Sequence, residues 1–219
     1  MKQKAVVLGS TGMVGTQLIK LLLENENFSE IISLVRRTGG IVHPKLKEYI
    51  IDFDQPDSWK EFVKGDVLFS TLGTTLAQAK SKENQFKIDY TYQFNVAEIA
   101  SKNAVSQYVL VSSAGANEKS GAFYMNMKGK LEKAVQHLPF DFINIIQPGP
   151  LSGFRKKKRF GETISIKALN ILNSVGLLRK YRPIDAGIVA KAMINATKTN
   201  KSASYDLDKV FLLAEMPEN

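Results

Sequence analysis

The chain has no cysteine among its 219 residues, which excludes a disulfide scaffold, a thiolate metal site and a cysteine nucleophile. Histidine is nearly as scarce: His43 and His137 stand far apart, too few for an imidazole metal centre, so no metal site is expected. No run approaches the ~18 apolar residues of a membrane span. The stretch AVVLGSTGMVG follows Lys2 and Lys4 as a signal peptide would, yet Ser, Thr and Gly interrupt it, Lys20 follows, and no small-residue cleavage site appears. A soluble, cytosolic (cytoplasmic) protein without a membrane partner is the expectation. Acidic residues are also in short supply, 21 against 30 Lys and Arg, for a net charge of +9.

That surplus is uneven. Residues 1–150 carry +2 and residues 151–219 carry +7, much of it in the five consecutive cations Arg155 to Arg159. No aromatic-interleaved motif or helix-turn-helix pattern accompanies the run, so no nucleic-acid partner is expected. A solvated basic loop is the plain reading, and a positively charged lid over an anionic ligand is the alternative.

Apolar β-branched runs alternate with helical patterns. Strands are predicted at Ala5–Leu8, Ile31–Val35, Lys47–Ile51, Val67–Thr71, Tyr108–Ser112 and Phe142–Gln147. Helices are predicted near 13–24, 57–63, 83–102, 121–137, 163–174 and 185–196, with a short strand near the end. In the third helix Phe86, Tyr90, Phe94 and Ala97 fall on one face at steps of 4, 4 and 3. Strands apolar on both faces, separated by helices, imply a doubly wound parallel α/β sheet, the Rossmann type. At ~150 residues per domain, residues 1–219 make one domain, with a nucleotide-binding core at 1–150 and a small C-terminal, substrate-side segment at 151–219.

The first strand runs directly into GSTGMVG, with Gly9, Gly12 and Gly15, and then into LIKLLLE. A strand, a tight glycine turn and a helix N-terminus are what a pyrophosphate needs, because free N–H groups and the positive helix end face the phosphates. Thr11, Met13 and Val14, between the glycines, join them as cofactor contacts. The end of the second strand then distinguishes the dinucleotides. An acid there would hold the ribose hydroxyls of NAD, but the chain offers Arg36, Arg37 and Thr38, with no acid between Glu30 and Glu48. Guanidinium binds a 2′-phosphate that a carboxylate would repel, so NADP, with NADPH preferred over NADH, is expected. Asp52 and Phe53 in IDFD are assigned to the adenine, and Leu72, Gly73 and Thr74 in STLGTT to the ribose side. Read as a hydrolase pair or a Mg²⁺ site, Asp52 and Asp54 make the poorer case.

The fifth strand ends in VSSAGA, and the next helix carries Tyr124 and Lys128 four residues apart, on one face. A lysine ammonium beside a phenol stabilises phenolate, giving an acid/base able to exchange a proton with a carbonyl or alcohol oxygen. Ser113, or Ser112 in its stead, would hydrogen-bond the same oxygen.

These blocks, with FKIDYTYQFNVAEIA, QPGPL and RPIDAGIVAKAM, resemble the short-chain dehydrogenase/reductase superfamily, and within it the atypical NmrA-like and Tat-interacting-protein-like oxidoreductase branch. The resemblance implies a catalytic set of Ser113, Tyr124 and Lys128, with Lys128 also on the nicotinamide ribose. It implies a nicotinamide border at Pro148 and Gly149. Asp89 stands where many relatives have asparagine, and Gln147 where the branch often has arginine. The resemblance implies an NADP(H)-dependent oxidoreductase that reduces a small-molecule carbonyl substrate. The second reading is an NADP(H)-binding regulator with little turnover that acts through a protein partner.

Overall fold

The computed structural model describes residues 2–152 and 182–217. Seven strands form one sheet: β1 (Gln3–Leu8), β2 (Phe28–Val35), β3 (Leu46–Ile50), β4 (Val67–Ser70), β5 (Gln107–Val111), β6 (Phe142–Gln147) and β9 (Ala203–Asp206). Their order is β3-β2-β1-β4-β5-β6-β9 and every neighbouring pair is parallel. The order reverses between β1 and β4, so the loops there diverge and leave a crevice at the carboxyl ends of the strands. The expected doubly wound parallel α/β sheet is therefore the observed fold. A short ladder of β7 (Leu151–Ser152) with β8 (Ile184–Asp185) ties the chain leaving β6 to the start of α6 (Ala186–Ala196).

The inner strands β2, β1, β4, β5 and β6 are buried on both faces while the outer β3 and β9 are partly exposed, and alternation divides the core in two. Ala5 and Val7 of β1 point to the layer of α1 (Met13–Glu24), α6 and α7 (Asp208–Ala214). Val6 and Leu8 point to the layer of α4 (Tyr92–Lys102) and α5 (Phe123–Val135). Helix α1 buries Val14, Leu18, Ile19 and Leu22, one stripe at helical spacing. Helix α6 lies between α1 and α7 and is buried along most of its length. Its N-cap is Asp185, whose carboxylate accepts from the Gly187 N–H at 2.7 Å.

Two expected helices take a different form. In place of 57–63 there are two short 3₁₀ turns, Pro56–Ser58 and Lys60–Phe62, broken at Trp59. The Trp59 indole is buried and donates to the Asp52 carbonyl at 2.8 Å, which draws the chain inward and interrupts the helix. The expected helix over 83–102 is one helical course with a wide turn inside it: α3 (Lys82–Phe86), a π segment Lys87–Thr91, then α4. A short α2 (Leu76–Ala79), capped by Thr75, precedes it, and α7 was not foreseen. The expected helix at 163–174 and the basic run Arg155 to Arg159 lie outside the described residues.

The β1–α1 connection has the closest packing. A methyl group on Gly15 would lie 2.1 Å from the Gly9 carbonyl oxygen, whereas one on Gly73 would meet nothing within 4 Å. Gly15→Ala is expected to cost about 1–3 kcal/mol by overpacking, roughly 2–12 °C in Tm. Gly73→Ala should melt with the wild type, as thermal denaturation followed by circular dichroism will show.

Candidate nucleotide and acid–base site

The turn after β1 is built from backbone. Gly9 adopts φ +86°, and a Cβ there would lie 2.6 Å from the Leu72 nitrogen, so only glycine lets the loop after β4 come this close. The Gly12 N–H donates to the Gly9 carbonyl at 2.9 Å, and the Thr71 hydroxyl donates to the carbonyls of Leu8 and Gly9 at 3.0 Å. The Ser33 hydroxyl donates to Ser10 Oγ at 2.7 Å. Gly12 caps α1 without any side-chain hydrogen bond, and the first turn holds no acid. Thr11 and Gly12 are exposed, Met13 is half-buried, and Val14 is in the core. What faces outward is therefore a set of unsatisfied N–H groups at the positive end of a helix. That suits the pyrophosphate of a dinucleotide, and the space over Gly73 lets the rest of it approach.

Arg36 and Arg37 follow β2 directly and are exposed. The loop they open is held by an acid from the next strand: both carboxylate oxygens of Glu48 accept from the Gly39 N–H at 3.0 Å. This contact cannot be read from chain order. Asp52 is exposed, and its carboxylate accepts from the Asp54 N–H at 3.0 Å and the Gln55 amide at 3.3 Å, closing the turn after β3. Phe53 is a core residue, packed at 5.1 Å on Tyr92 and 6.1 Å on Trp59. Leu72 and Thr74 flank the exposed Gly73. Asp89 Oδ1 accepts the Thr74 N–H at 2.7 Å, and the Gln85 amide donates to its carbonyl at 3.4 Å. Asp89 is fully buried in the π segment, so its carboxylate is an anchor for the loop after β4. Sequence reasoning noted Asp89 but assigned it no structural task.

The residues expected to carry acid–base chemistry lie near the ends of β5 and β6. Tyr124, in the first turn of α5, is 37% exposed, while Lys128 one turn on is only 3% exposed. The ammonium of Lys128 donates to the Val111 carbonyl at 3.4 Å, placing it beside Ser112 and Ser113. Ser113 is half-buried and donates to the Ala114 carbonyl at 3.4 Å; Ser112 is buried. The Ala114 N–H donates to the Pro148 carbonyl at 3.0 Å, which joins the two strand ends across the site. Ser113, Tyr124 and Lys128 are thus on adjoining elements at one edge of the sheet. A further residue, missed from sequence, is Glu132, one turn beyond Lys128. Its two oxygens accept from the Gln147 amide at 2.9 Å. Burial pushes its carboxyl above the usual carboxylate range. Hydrogen bonding from Ser112 and Gln147, with the charge of Lys128, opposes that without cancelling it. The signal was present, since Lys128 and Glu132 share a helical face at i,i+4.

A family model described as NAD(P)H-binding matches residues 9–162, from the glycine turn past β7. The chain belongs to that family. Curated relatives extend the likeness to nearly the whole length. Protein FMP52, mitochondrial, of Candida albicans is 36% identical over 213 residues, covering 94% of this chain and 93% of that one. The Aspergillus niger protein of the same name is 33% identical over 199 residues, covering 87% and 85%. Among solved structures, the Bordetella bronchiseptica enzyme WbmH in complex with NAD⁺ superposes with a TM-score of 0.72 at 14% identity, over 94% of this chain and 76% of that one. Family members thus share an NAD(P)-binding, oxidoreductase-like Rossmann fold and a nicotinamide cofactor. One expectation is overturned: the relatives are named mitochondrial, against the cytosolic placement read from the N-terminus. Among the described residues no helix is long and apolar enough to cross a membrane.

The raised Glu132 carboxyl has a consequence for stability. A group whose pKa is higher folded than unfolded favours the fold below its unfolded value and loses that contribution as pH rises through the folded value. Glu132→Gln keeps an acceptor for Gln147 and removes the titration. Its Tm relative to wild type is expected to rise from pH 4 towards pH 8, and a difference independent of pH across that range would refute the assignment.

Proposed function

We propose that the protein is an NADP(H)-dependent oxidoreductase that reduces a small carbonyl compound, of the atypical short-chain dehydrogenase/reductase type in the NmrA-like and Tat-interacting-protein-like branch. The observation that carries this reading is the pairing on α5: an exposed phenol at Tyr124 and, one turn away, a buried ammonium at Lys128 held against the end of β5. The nicotinamide, when bound, supplies the hydride. Gly9, Gly12 and Gly15, with the N–H groups around Thr11, Met13 and Val14, seat the pyrophosphate. Arg36 and Arg37 attract the 2′-phosphate, and Leu72, Gly73, Thr74 and Pro148 border the ribose and the nicotinamide. Ser113 donates to the substrate carbonyl oxygen and orients it. Tyr124 transfers its hydroxyl proton to that oxygen as the carbon is reduced, and the adjacent Lys128 charge stabilises the phenolate left behind. Lys128 also holds the nicotinamide ribose. The names of the relatives support a mitochondrial setting.

One observation favours a second reading, an NADP(H)-binding regulator acting through a protein partner. Asp89 is committed to the Thr74 N–H, so the position where many relatives have asparagine serves a loop. A single substitution separates the two. Tyr124→Phe is expected to bind NADPH within about threefold of wild type, and to lose about 10²–10⁴-fold in NADPH oxidation with aldehydes, ketones and quinones. If wild type oxidises no NADPH across that panel while binding it tightly, the regulator is the better description.

A further inference from the structure

We propose that Glu48 tunes the balance between NADP(H) and NAD(H), by holding a carboxylate against the loop that receives the 2′ position of the adenosine ribose. The inference rests on the nucleotide site proposed above and adds a specificity residue that chain order conceals. Glu48 is on β3, in register with Ser33 of β2, and its side chain reaches across the end of β2 to the loop opened by Arg36 and Arg37. Both of its oxygens lie 3.0 Å from the Gly39 nitrogen. A Cβ on Gly39 would stand 3.1 Å from Glu48 Oε1 and 3.4 Å from Thr11 Cγ2. The carboxylate, the arginine loop and the glycine turn therefore converge at one point. The loop is braced a second time by Thr38 Oγ1, which accepts from the Gly40 N–H at 3.1 Å.

The charges around that point oppose one another. Among the described residues neither Arg36 nor Arg37 has an ion-pair partner, and Glu48 is bound by an N–H rather than by a cation. Two guanidinium groups attract a 2′-phosphate. The Glu48 carboxylate repels it, and also engages the Gly39 N–H, a donor that would otherwise be open to a phosphate oxygen. A ribose diol has the opposite preference, because its hydroxyls donate to a carboxylate. The chain thus has the missing acid after all, delivered from β3 instead of from the end of β2.

Titrating NADPH and NADH against the full-length protein by fluorescence, at low salt and at 0.15 M, tests this without needing turnover. Glu48→Gln retains an oxygen for the Gly39 N–H and removes only the charge. Its NADPH:NADH affinity ratio is expected to rise roughly fivefold at low salt, and less at 0.15 M, where the Debye length is about 8 Å. Glu48→Asp, which keeps the charge, should stay nearer wild type, and Arg36→Ala with Arg37→Ala should lower the ratio. A ratio in Glu48→Gln within twofold of wild type, with both nucleotides still bound, overturns the role of Glu48 and leaves the nucleotide site standing. Wild type that binds neither nucleotide overturns both. Should Glu48→Gln not fold, Glu48→Ala and Glu48→Asp decide the matter: a raised ratio in the first alone supports the inference, and equal ratios overturn it.

Discussion

The approach of bare backbone at Gly9 governs the geometry of the nucleotide end. Three segments meet there with no side chain between them: the end of β1, the loop after β4 and the first turn of α1. Van der Waals repulsion rises so steeply that the contact fixes the direction of α1 as firmly as a covalent link would. The consequences propagate. The unsatisfied N–H groups of α1 are aimed into the crevice, and Leu72 is held beside the glycine turn. The chain beyond it must then pass Gly73 and be caught at Thr74 by Asp89 and Gln85. The loop after β4 owes its position to a chain of contacts that begins with a missing methyl group.

What the sequence disclosed was whatever is encoded locally. Runs such as AVVL, VLFS and FINIIQ are apolar on both faces and can only be interior parallel strands, so the sheet and its order class were legible. The glycine spacing was legible because a turn of that kind tolerates few residues. Trp59 was not, because the pull on its indole comes from a carbonyl seven residues earlier. The wide turn at Lys87–Thr91 was encoded more subtly. Rings at Phe86, Tyr90 and Phe94 are spaced by four, which overshoots 3.6 residues per turn and would drift around an ideal helix. The π segment takes up that overshoot, and the rings remain stacked at 4.7 and 6.2 Å. The spacing was read as a face when it also marked a change of pitch.

At the site, legibility followed the same division. Tyr124 and Lys128 could be paired because a helix makes i and i+4 neighbours. Glu48 could not be joined to the loop at Gly39, since they belong to different segments and the parallel pairing of β2 with β3 brings them together only once the register is set. An argument from absence along the chain, that no acid follows the second strand, is therefore weaker than an argument from presence. Sequence distance limits which residues are adjacent in the chain and places no limit on which are adjacent in the sheet. Phe53, close to a strand end in sequence, packs against Trp59 and Tyr92, a contact that chain order does not disclose.

The two ends of the site are built on different physical terms. The nucleotide end is backbone and helix dipole, which titrate with nothing and need little beyond correct packing. The other end is a polar stripe along α5, rising about 6 Å for every four residues. Along it Tyr124 meets solvent, Lys128 is almost wholly covered, and Glu132 lies under Gln147. A charge is harder to hold the further it lies from water, and at the covered end of the stripe burial pushes the Glu132 carboxyl upward. The helix that packs the second core layer thereby also carries this polar stripe, and a substitution on its buried face alters both together.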